Sequence, residues 1–154
     1  MTTFIPNIER LEFLVTHRCN ARCAHCYVPK IRHQPHCING KNAANIVEKI
    51  ANHYQLKSVM AFGGEPLLCL ESVLQIVTAA KENHIPSREL ITNGFWHKNE
   101  NSTRLIAEKL KFAGVNWIGF SVDVFHQEWV PVDCVRNAAQ ACLDQKIDHL
   151  EWIP

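Results

Sequence analysis

Three cysteines near the N-terminus are spaced like the ligands of one metal centre. Cys19, Cys23 and Cys26 form a C-x3-C-x2-C pattern within eight residues. The chain has seven cysteines, so they cannot all be paired within one molecule, and a tight group is more typical of metal binding in a reducing compartment. Thiolate sulfur is a soft ligand that suits iron–sulfur clusters or zinc. Three protein ligands would leave one iron of a four-iron cluster open to a small molecule.

The zinc interpretation requires a fourth ligand, because structural zinc is four-coordinate. The sequence offers five candidates for that ligand: His17, His25, His33, His36 and Cys37. A third interpretation is that the thiols are reduced and hold no metal. Cys69, Cys134 and Cys142 fall among apolar positions with helical spacing, which indicates small core residues. From the residues alone, the cluster, zinc and free-thiol interpretations remain open.

The elements that must position these cysteines alternate between strand and helix. Short runs of strand-forming residues predict strands at 10–17, 58–62, 89–92, 115–121 and 149–153. Apolar positions with helical spacing predict helices at 41–54, 66–80, 102–113 and 131–145. Strand–helix units that recur at intervals of about 30 residues predict an α/β fold with a parallel sheet. We expect one domain that spans residues 1–154.

Glycine-rich or polar residues follow four of the predicted strands. The cysteine group follows the first strand, and the other segments are Gly63-Gly64-Glu65-Pro66, Thr92-Asn93-Gly94 and Ser121-Val122-Asp123. Parallel α/β folds bind ligands at the carboxyl ends of their strands. Asn93-Gly94 alone would suit a hairpin turn, but a helical pattern follows it, so we place it at this rim. The four segments are therefore expected to converge on one site.

Composition excludes several classes of function. The charge balance of 16 Lys+Arg against 15 Asp+Glu gives a net charge of +1, which argues against a nucleic-acid partner. No apolar stretch approaches the ~18 residues of a membrane span. The N-terminus lacks the basic head and apolar core of an export signal. We expect a cytoplasmic protein with no membrane partner.

These motifs together resemble the radical S-adenosylmethionine (SAM) superfamily. The resemblance rests on Cys19, Cys23 and Cys26 after the first strand and on Gly63-Gly64-Glu65-Pro66 after the second, and it extends over residues 10 to about 126. It implies a partial (β/α)6 barrel and a [4Fe–4S] cluster ligated by the three cysteines. The open iron would bind the amino and carboxylate groups of SAM. With an electron from an external donor, SAM is cleaved to a 5′-deoxyadenosyl radical that abstracts a substrate hydrogen.

The resemblance also implies contacts to SAM. The backbone of Gly63 and Gly64, together with Glu65, would face the methionyl ammonium, and glycine suits this place because it has no Cβ to hinder close approach. The other implied contacts are His25 near the adenine, Ser121 and Asp123 at the ribose hydroxyls, and Asn93 at the rim around SAM. For His25 a solvated imidazole is the alternative.

Some residues have no clear place in this scheme. His126 and Glu128 are candidate proton donors or substrate contacts, and with Asp123 they could form a mononuclear metal site. Helix capping and surface hydrogen bonds are the alternative. Lys30 and Arg32, in the long loop 27–39, are candidate contacts for an anionic or peptide substrate. The substrate, the catalytic residues and the reaction outcome are not identified by the sequence.

The pattern departs from the family near its end. The strand–helix units stop after about four and a half, so the last predicted strand would be an exposed edge that can pair with another chain. Self-association through that strand is one expectation. Besides a radical SAM enzyme, two alternatives follow: a cluster- and SAM-binding domain without turnover, and a zinc-binding structural module.

Overall fold

The computed structural model describes residues 7–27, 36–96 and 99–154. Its centre is a parallel sheet of five strands in the order β1-β2-β3-β4-β5. The strands are β1 Arg10–Thr16, β2 Ser58–Gly63, β3 Ser87–Thr92, β4 Trp117–Ser121 and β5 His149–Ile153. The helices are α1 Gly40–Ala51, α2 Leu70–Glu82, α3 Glu100–Ala113, α4 Val124–Gln127 and α5 Val132–Asp144. This architecture confirms the predicted α/β fold of parallel strand–helix units.

The sheet buries one face beneath the helices. Alternate residues of the strands, such as Val59, Leu90 and Ile118, are completely buried. They join one apolar core with helix residues such as Val77 and Leu110. Side chains in a strand point to alternate faces, so the other residues of each strand share the opposite, more polar face. On that face Arg10 Nη2, in β1, donates to Glu89 Oε2, in β3, at 2.7 Å, and the hydrogen bond passes over β2.

Polar side chains begin the helices and therefore fix where the strand-to-helix turns end. The Oδ1 atom of Asn39 accepts a hydrogen bond from the Asn42 amide at 3.0 Å at the start of α1. Asp123 Oδ1 accepts from the amides of Phe125 and His126 at 2.7 and 2.9 Å at the start of α4. Such caps satisfy amides that have no partner within the helix, typically for about 1 kcal/mol each.

Two predictions of secondary structure need correction. The helix predicted from Pro66 is divided into a short 3-10 helix, Pro66–Cys69, and α2, because the backbone of Cys69 leaves the helical conformation. The four-residue α4 was not predicted, since so short a helix cannot show a periodic apolar pattern. Of the described helices, none is long and apolar enough to cross a membrane.

The cysteines predicted as core residues differ in outcome. Cys142 is completely buried, as expected, and Cys134 is half-buried. Cys69 is buried, but its sulfur is bonded to Cys37 in a disulfide with a Cα–Cα distance of 5.8 Å. The burial of Cys69 agrees with the expected core position, whereas its bond to Cys37 was not predicted. Cys37 is also not available as the fourth zinc ligand while the disulfide is formed.

Candidate functional site

The carboxyl ends of β1, β2, β3 and β4 surround one cavity of about 280 Å³. Residues from all four predicted site segments line it, including Cys19, Cys23, Cys26, Gly63, Gly64, Thr92, Asn93 and Ser121. Phe62 and Ile91, from the ends of β2 and β3, supply apolar wall. The expected convergence of the four segments is confirmed. Lys30, Arg32 and His33 lie outside the described residues.

The three clustered cysteines line this cavity and belong to no disulfide. Cys23 is buried, and Cys19 and Cys26 are half-buried. Burial raises the pKa of Cys19 to about 11; the Ala21 amide counteracts this in part, while Glu65 and the other two cysteines add to it. Desolvation favours the protonated thiol, so these thiols lose their protons readily only when a metal cation binds in place of the proton. Three soft sulfur donors that line one cavity and are at least half-buried fit an iron–sulfur cluster.

Gly63 and Gly64 bring the end of β2 against the backbone that leads to Cys19. The Gly64 amide donates to Thr16 O at 2.7 Å, and the Glu65 amide donates to Arg18 O at 2.7 Å. A Cβ on Gly64 would overlap the Arg18 carbonyl. Gly63 has a φ of +146°, a backbone conformation that residues with a side chain rarely adopt. The glycines are therefore needed for contact with the chain itself as well as for a backbone wall at the cavity.

Glu65 connects the second and third site segments. It is 1% exposed. Its Oε1 accepts hydrogen bonds from Thr92 Oγ1 at 2.8 Å and from the Leu67 amide at 3.1 Å, and its Oε2 accepts from the Asn93 amide at 2.8 Å. Both carboxylate oxygens therefore have partners within the protein, because the turn after Gly64 directs the side chain towards the end of β3. The contact between Glu65 and the ammonium of SAM stays a prediction.

The burial of Glu65 has an electrostatic consequence. Removal from water raises the pKa of its carboxyl to about 7, although the hydrogen bonds from Asn93, Thr92 and Leu67 favour the ionised form and limit the increase. Glu65 therefore changes protonation state in the neutral range. When ionised, it places a negative charge near Cys19.

Asn93 and Asn20 join the end of β3 to the cysteine segment. Asn93 Nδ2 donates to Asn20 Oδ1 at 2.7 Å and to Cys19 Sγ at 3.7 Å, and its Oδ1 accepts from the Phe95 amide at 2.9 Å. Asn20 Nδ2 donates to Phe95 O at 2.8 Å. Asn20 was not singled out from the sequence, since an asparagine between two cysteines carries no signal of what it will contact.

A second polar group lies on the β4 side of the cavity. Asp123 Oδ2 lies 2.7 Å from His126 Nδ1 and 3.6 Å from His25 Nε2. One potential ligand atom from each of these three residues falls within 4.8 Å of the others. Burial opposes ionisation of Asp123, but the amide and ring of His126 and the amide of Phe125 outweigh it and lower its pKa.

This group corrects one of the alternatives considered from the sequence. The alternative of a mononuclear site combined Asp123 and His126 with Glu128, whereas the structure combines them with His25. Glu128 is exposed where α4 ends. His25 is partly exposed and also lies against Phe125, with ring centroids 5.0 Å apart. His25, which had been a candidate zinc ligand beside the thiols, is thus held beside a carboxylate.

Comparison with known proteins agrees with these observations. The family model described as the radical SAM superfamily matches residues 13–153. A probable GTP 3',8-cyclase of Methanocaldococcus jannaschii is 30% identical over 160 residues, covering 96% of this chain and 50% of that protein. A GTP 3',8-cyclase of Desulforamulus reducens is 31% identical over 120 residues, covering 76% of this chain and 35% of that protein. The chain spans about half the length of the first of these relatives.

The fold is also found in solved structures. A structure of anSMEcpe with bound AdoMet superposes with a TM-score of 0.67 and 19% identity, covering 94% of this chain and 43% of that one. At this identity the likeness shows the fold alone. The family model covers nearly all of the chain, and family members use a [4Fe–4S] cluster and SAM, which fit the thiols and the glycine-lined cavity. The chain belongs to the radical SAM superfamily.

Proposed function

We propose that this chain binds a [4Fe–4S] cluster and SAM and forms the radical-generating site of an enzyme. The observation that carries the proposal is the cavity that three cysteines outside any disulfide line together with a glycine backbone wall. Cys19, Cys23 and Cys26 would ligate the cluster. When bound, the cluster and SAM supply an electron-driven cleavage of the sulfonium C–S bond that yields methionine and a 5′-deoxyadenosyl radical.

The residues of this chain orient the two cofactors. The backbone of Gly63 and Gly64 would bind the methionyl part of SAM, and Ser121 and Asp123 would bind the ribose hydroxyls. Asp123 suits that role because its pKa is lowered, so it is an ionised acceptor at neutral pH. His25, whose Nε2 lies 3.6 Å from Asp123 Oδ2, would lie near the adenine. The apolar side chains of Phe62 and Ile91, which line the same cavity, would help to exclude water.

GTP is the first substrate to test. The relatives that match this chain at about 30% identity carry the name GTP 3',8-cyclase or probable GTP 3',8-cyclase. A structure of similar fold holds a peptide, so a peptide is the second substrate class to test. Lys30 and Arg32 remain predicted contacts for either one. An external reductant would supply the electron.

The test is anaerobic reconstitution with iron and sulfide, followed by electron paramagnetic resonance with and without SAM. We expect about four iron and four sulfide per chain, a reduced signal that changes on addition of SAM, and release of 5′-deoxyadenosine. Cys26→Ala should abolish the signal. Cys134→Ala, a half-buried thiol on α5, is the matched control and should leave it unchanged.

The same experiment separates the alternatives. A cluster signal that does not respond to SAM would support a cluster-binding domain without turnover. One zinc per chain with no sulfide would overturn the proposal and support the zinc-binding module. Substrate-independent 5′-deoxyadenosine that disappears in Cys26→Ala would exclude both.

A further inference from the structure

The side chain of Asn93 is committed to the protein. Asn93 is 6% exposed. Its amide oxygen accepts from Phe95 N, and its amide nitrogen has two acceptors, Asn20 Oδ1 and Cys19 Sγ. Buried amide groups are normally satisfied in this way, and a satisfied amide has little capacity left for a ligand. The polar contacts of the Asn93 side chain within the protein thus lead to Cys19.

The backbone of Phe95 determines which way both amides face. Phe95 N can only donate, so the oxygen of Asn93 must face it and the NH2 group must face away, towards Cys19. Phe95 O can only accept, so the NH2 group of Asn20 must face it and the oxygen of Asn20 must face Asn93. Amide orientation is properly assigned from such a network. The donor at Cys19 is thus fixed by contacts that do not involve the sulfur.

The donor is also held in place from its own backbone. Asn93 N donates to Glu65 Oε2 at 2.8 Å, so both its main chain and its side chain are restrained. The Cys19 sulfur receives a second N–H from Ala21 at 3.4 Å. Hydrogen bonds to a ligating sulfur stabilise the more negative, reduced state of an iron–sulfur cluster and are one determinant of its reduction potential.

We propose that Asn93 is a positioning residue that donates an amide N–H to the Cys19 sulfur and makes the bound cluster easier to reduce. Asn20 braces this donor and carries no N–H to the sulfur itself. The inference rests on the proposed function, because it requires Cys19 to be a cluster ligand. Reduction is the step that must precede cleavage of SAM, so Asn93 would act on that step without touching SAM.

The test is a redox titration of the reconstituted cluster, monitored by electron paramagnetic resonance. In Asn93→Leu, which is similar in size but has no donor, the midpoint potential should become more negative. The expected ratio of reduced to oxidised cluster at a fixed potential falls about tenfold, which is 59 mV for a one-electron couple. Asn93→Asp should shift the potential further in the same direction, because it replaces the donor with a negative charge. Asn20→Ala, which keeps the donor but removes its brace, should give a smaller shift.

Asn42→Leu makes the same chemical change at an exposed position of α1 and should leave the potential unchanged. If the wild-type chain binds no iron and sulfide, the proposed function fails. If wild type and Asn93→Leu bind equal amounts and their potentials coincide, the proposed function stands and this inference is wrong. If Asn93→Leu does not hold iron, Asn93→Asp decides the question, since it keeps the side-chain shape and the acceptor for Phe95 N.

Discussion

Two groups of cysteines lie in the segments that follow β1 and β2, and they differ in chemical state. Cys19, Cys23 and Cys26 line the cavity and form no disulfide, whereas Cys37 and Cys69 are joined in one. The bond links the residues just before α1, which include Cys37, to the 3-10 helix Pro66–Cys69. The two groups do not differ in burial, since each contains a buried cysteine, Cys23 and Cys69. They differ in spacing, because the cavity cysteines lie within eight residues of one another and the bonded pair is 32 residues apart.

The segment around the disulfide is firmly held. Ile38 N donates to Val15 O at 2.8 Å, and Ser72 Oγ donates to Ile38 O at 2.8 Å. Thr16 Oγ1 donates to His36 O at 3.0 Å. The segment that bears the cavity cysteines is held through Arg18 and Asn20 instead, by the backbone of Glu65 and by Asn93. The chain is thus fixed at Cys37 by a covalent bond, and in the segment of the cavity cysteines by hydrogen bonds around the cavity.

The largest effect should come from replacing one cysteine of each group by alanine. Cys26→Ala should reduce cluster iron and sulfide to background, because a cluster held by only two thiolates has lost a required ligand. Cys37→Ala, which alters only the bonded pair, should keep most of the iron and sulfide. Metal and sulfide analysis after anaerobic reconstitution measures both. Equal loss in the two variants would mean that the groups are not functionally distinct.

Reduction of the disulfide should lower stability by about 3–4 kcal/mol, since the bond closes a loop with a sequence separation of 32 residues. Urea unfolding of the metal-free chain, with and without a dithiol reductant, measures this. Cys37→Ser is the control and should show no dependence on the reductant. Alkylation of the denatured, unreduced chain should modify five cysteines out of seven. Modification of all seven would contradict the disulfide.

Glu65 should make the stability of the cavity side depend on pH. Its pKa of about 7 in the folded chain exceeds its ordinary value of 4.5. Its contribution is therefore fully present below pH 4.5 and is lost as pH rises through 7, because only the unfolded chain releases the proton readily over that interval. The loss amounts to about 3 kcal/mol.

The measurement is urea unfolding of the metal-free, disulfide-bonded chain at several pH values between 5 and 8. Glu65→Gln cannot ionise and should show a flatter dependence than the wild type. The difference between the two curves removes the contribution of the histidines, which titrate in both chains. Parallel curves would show that the burial of Glu65 does not govern its ionisation.

The sequence predicted the strands and the rim well, for a local reason. Apolar alternation and helical spacing are local patterns, and each polar motif directly follows its strand, so the site in which they converge could be placed from topology. The partner of Cys69, the destination of the Glu65 side chain and the Asn20–Asn93 pair could not be predicted. Each joins residues at least 27 positions apart, and such contacts depend on the packed geometry of neighbouring turns.

The smallest effect should come from a substitution at Gly64, whose close contact with the Arg18 carbonyl helps to hold the segment of the cavity cysteines. In Gly64→Ala, the new Cβ would overlap the Arg18 carbonyl, so one backbone must move. We expect a loss of about 1–3 kcal/mol in the free energy of unfolding, measured in urea, as is typical of overpacking.

Gly119→Ala is the control for this change. Its Cβ would meet the ends of the Ile153 and Trp117 side chains, and these can turn where a backbone carbonyl cannot. Its cost should therefore be smaller, and its cluster content should equal that of the wild type. In Gly64→Ala the displaced Arg18 lies next to Cys19, so iron and sulfide should fall together with stability. Stability lost without any loss of iron would show that the cysteine segment keeps its geometry independently of β2.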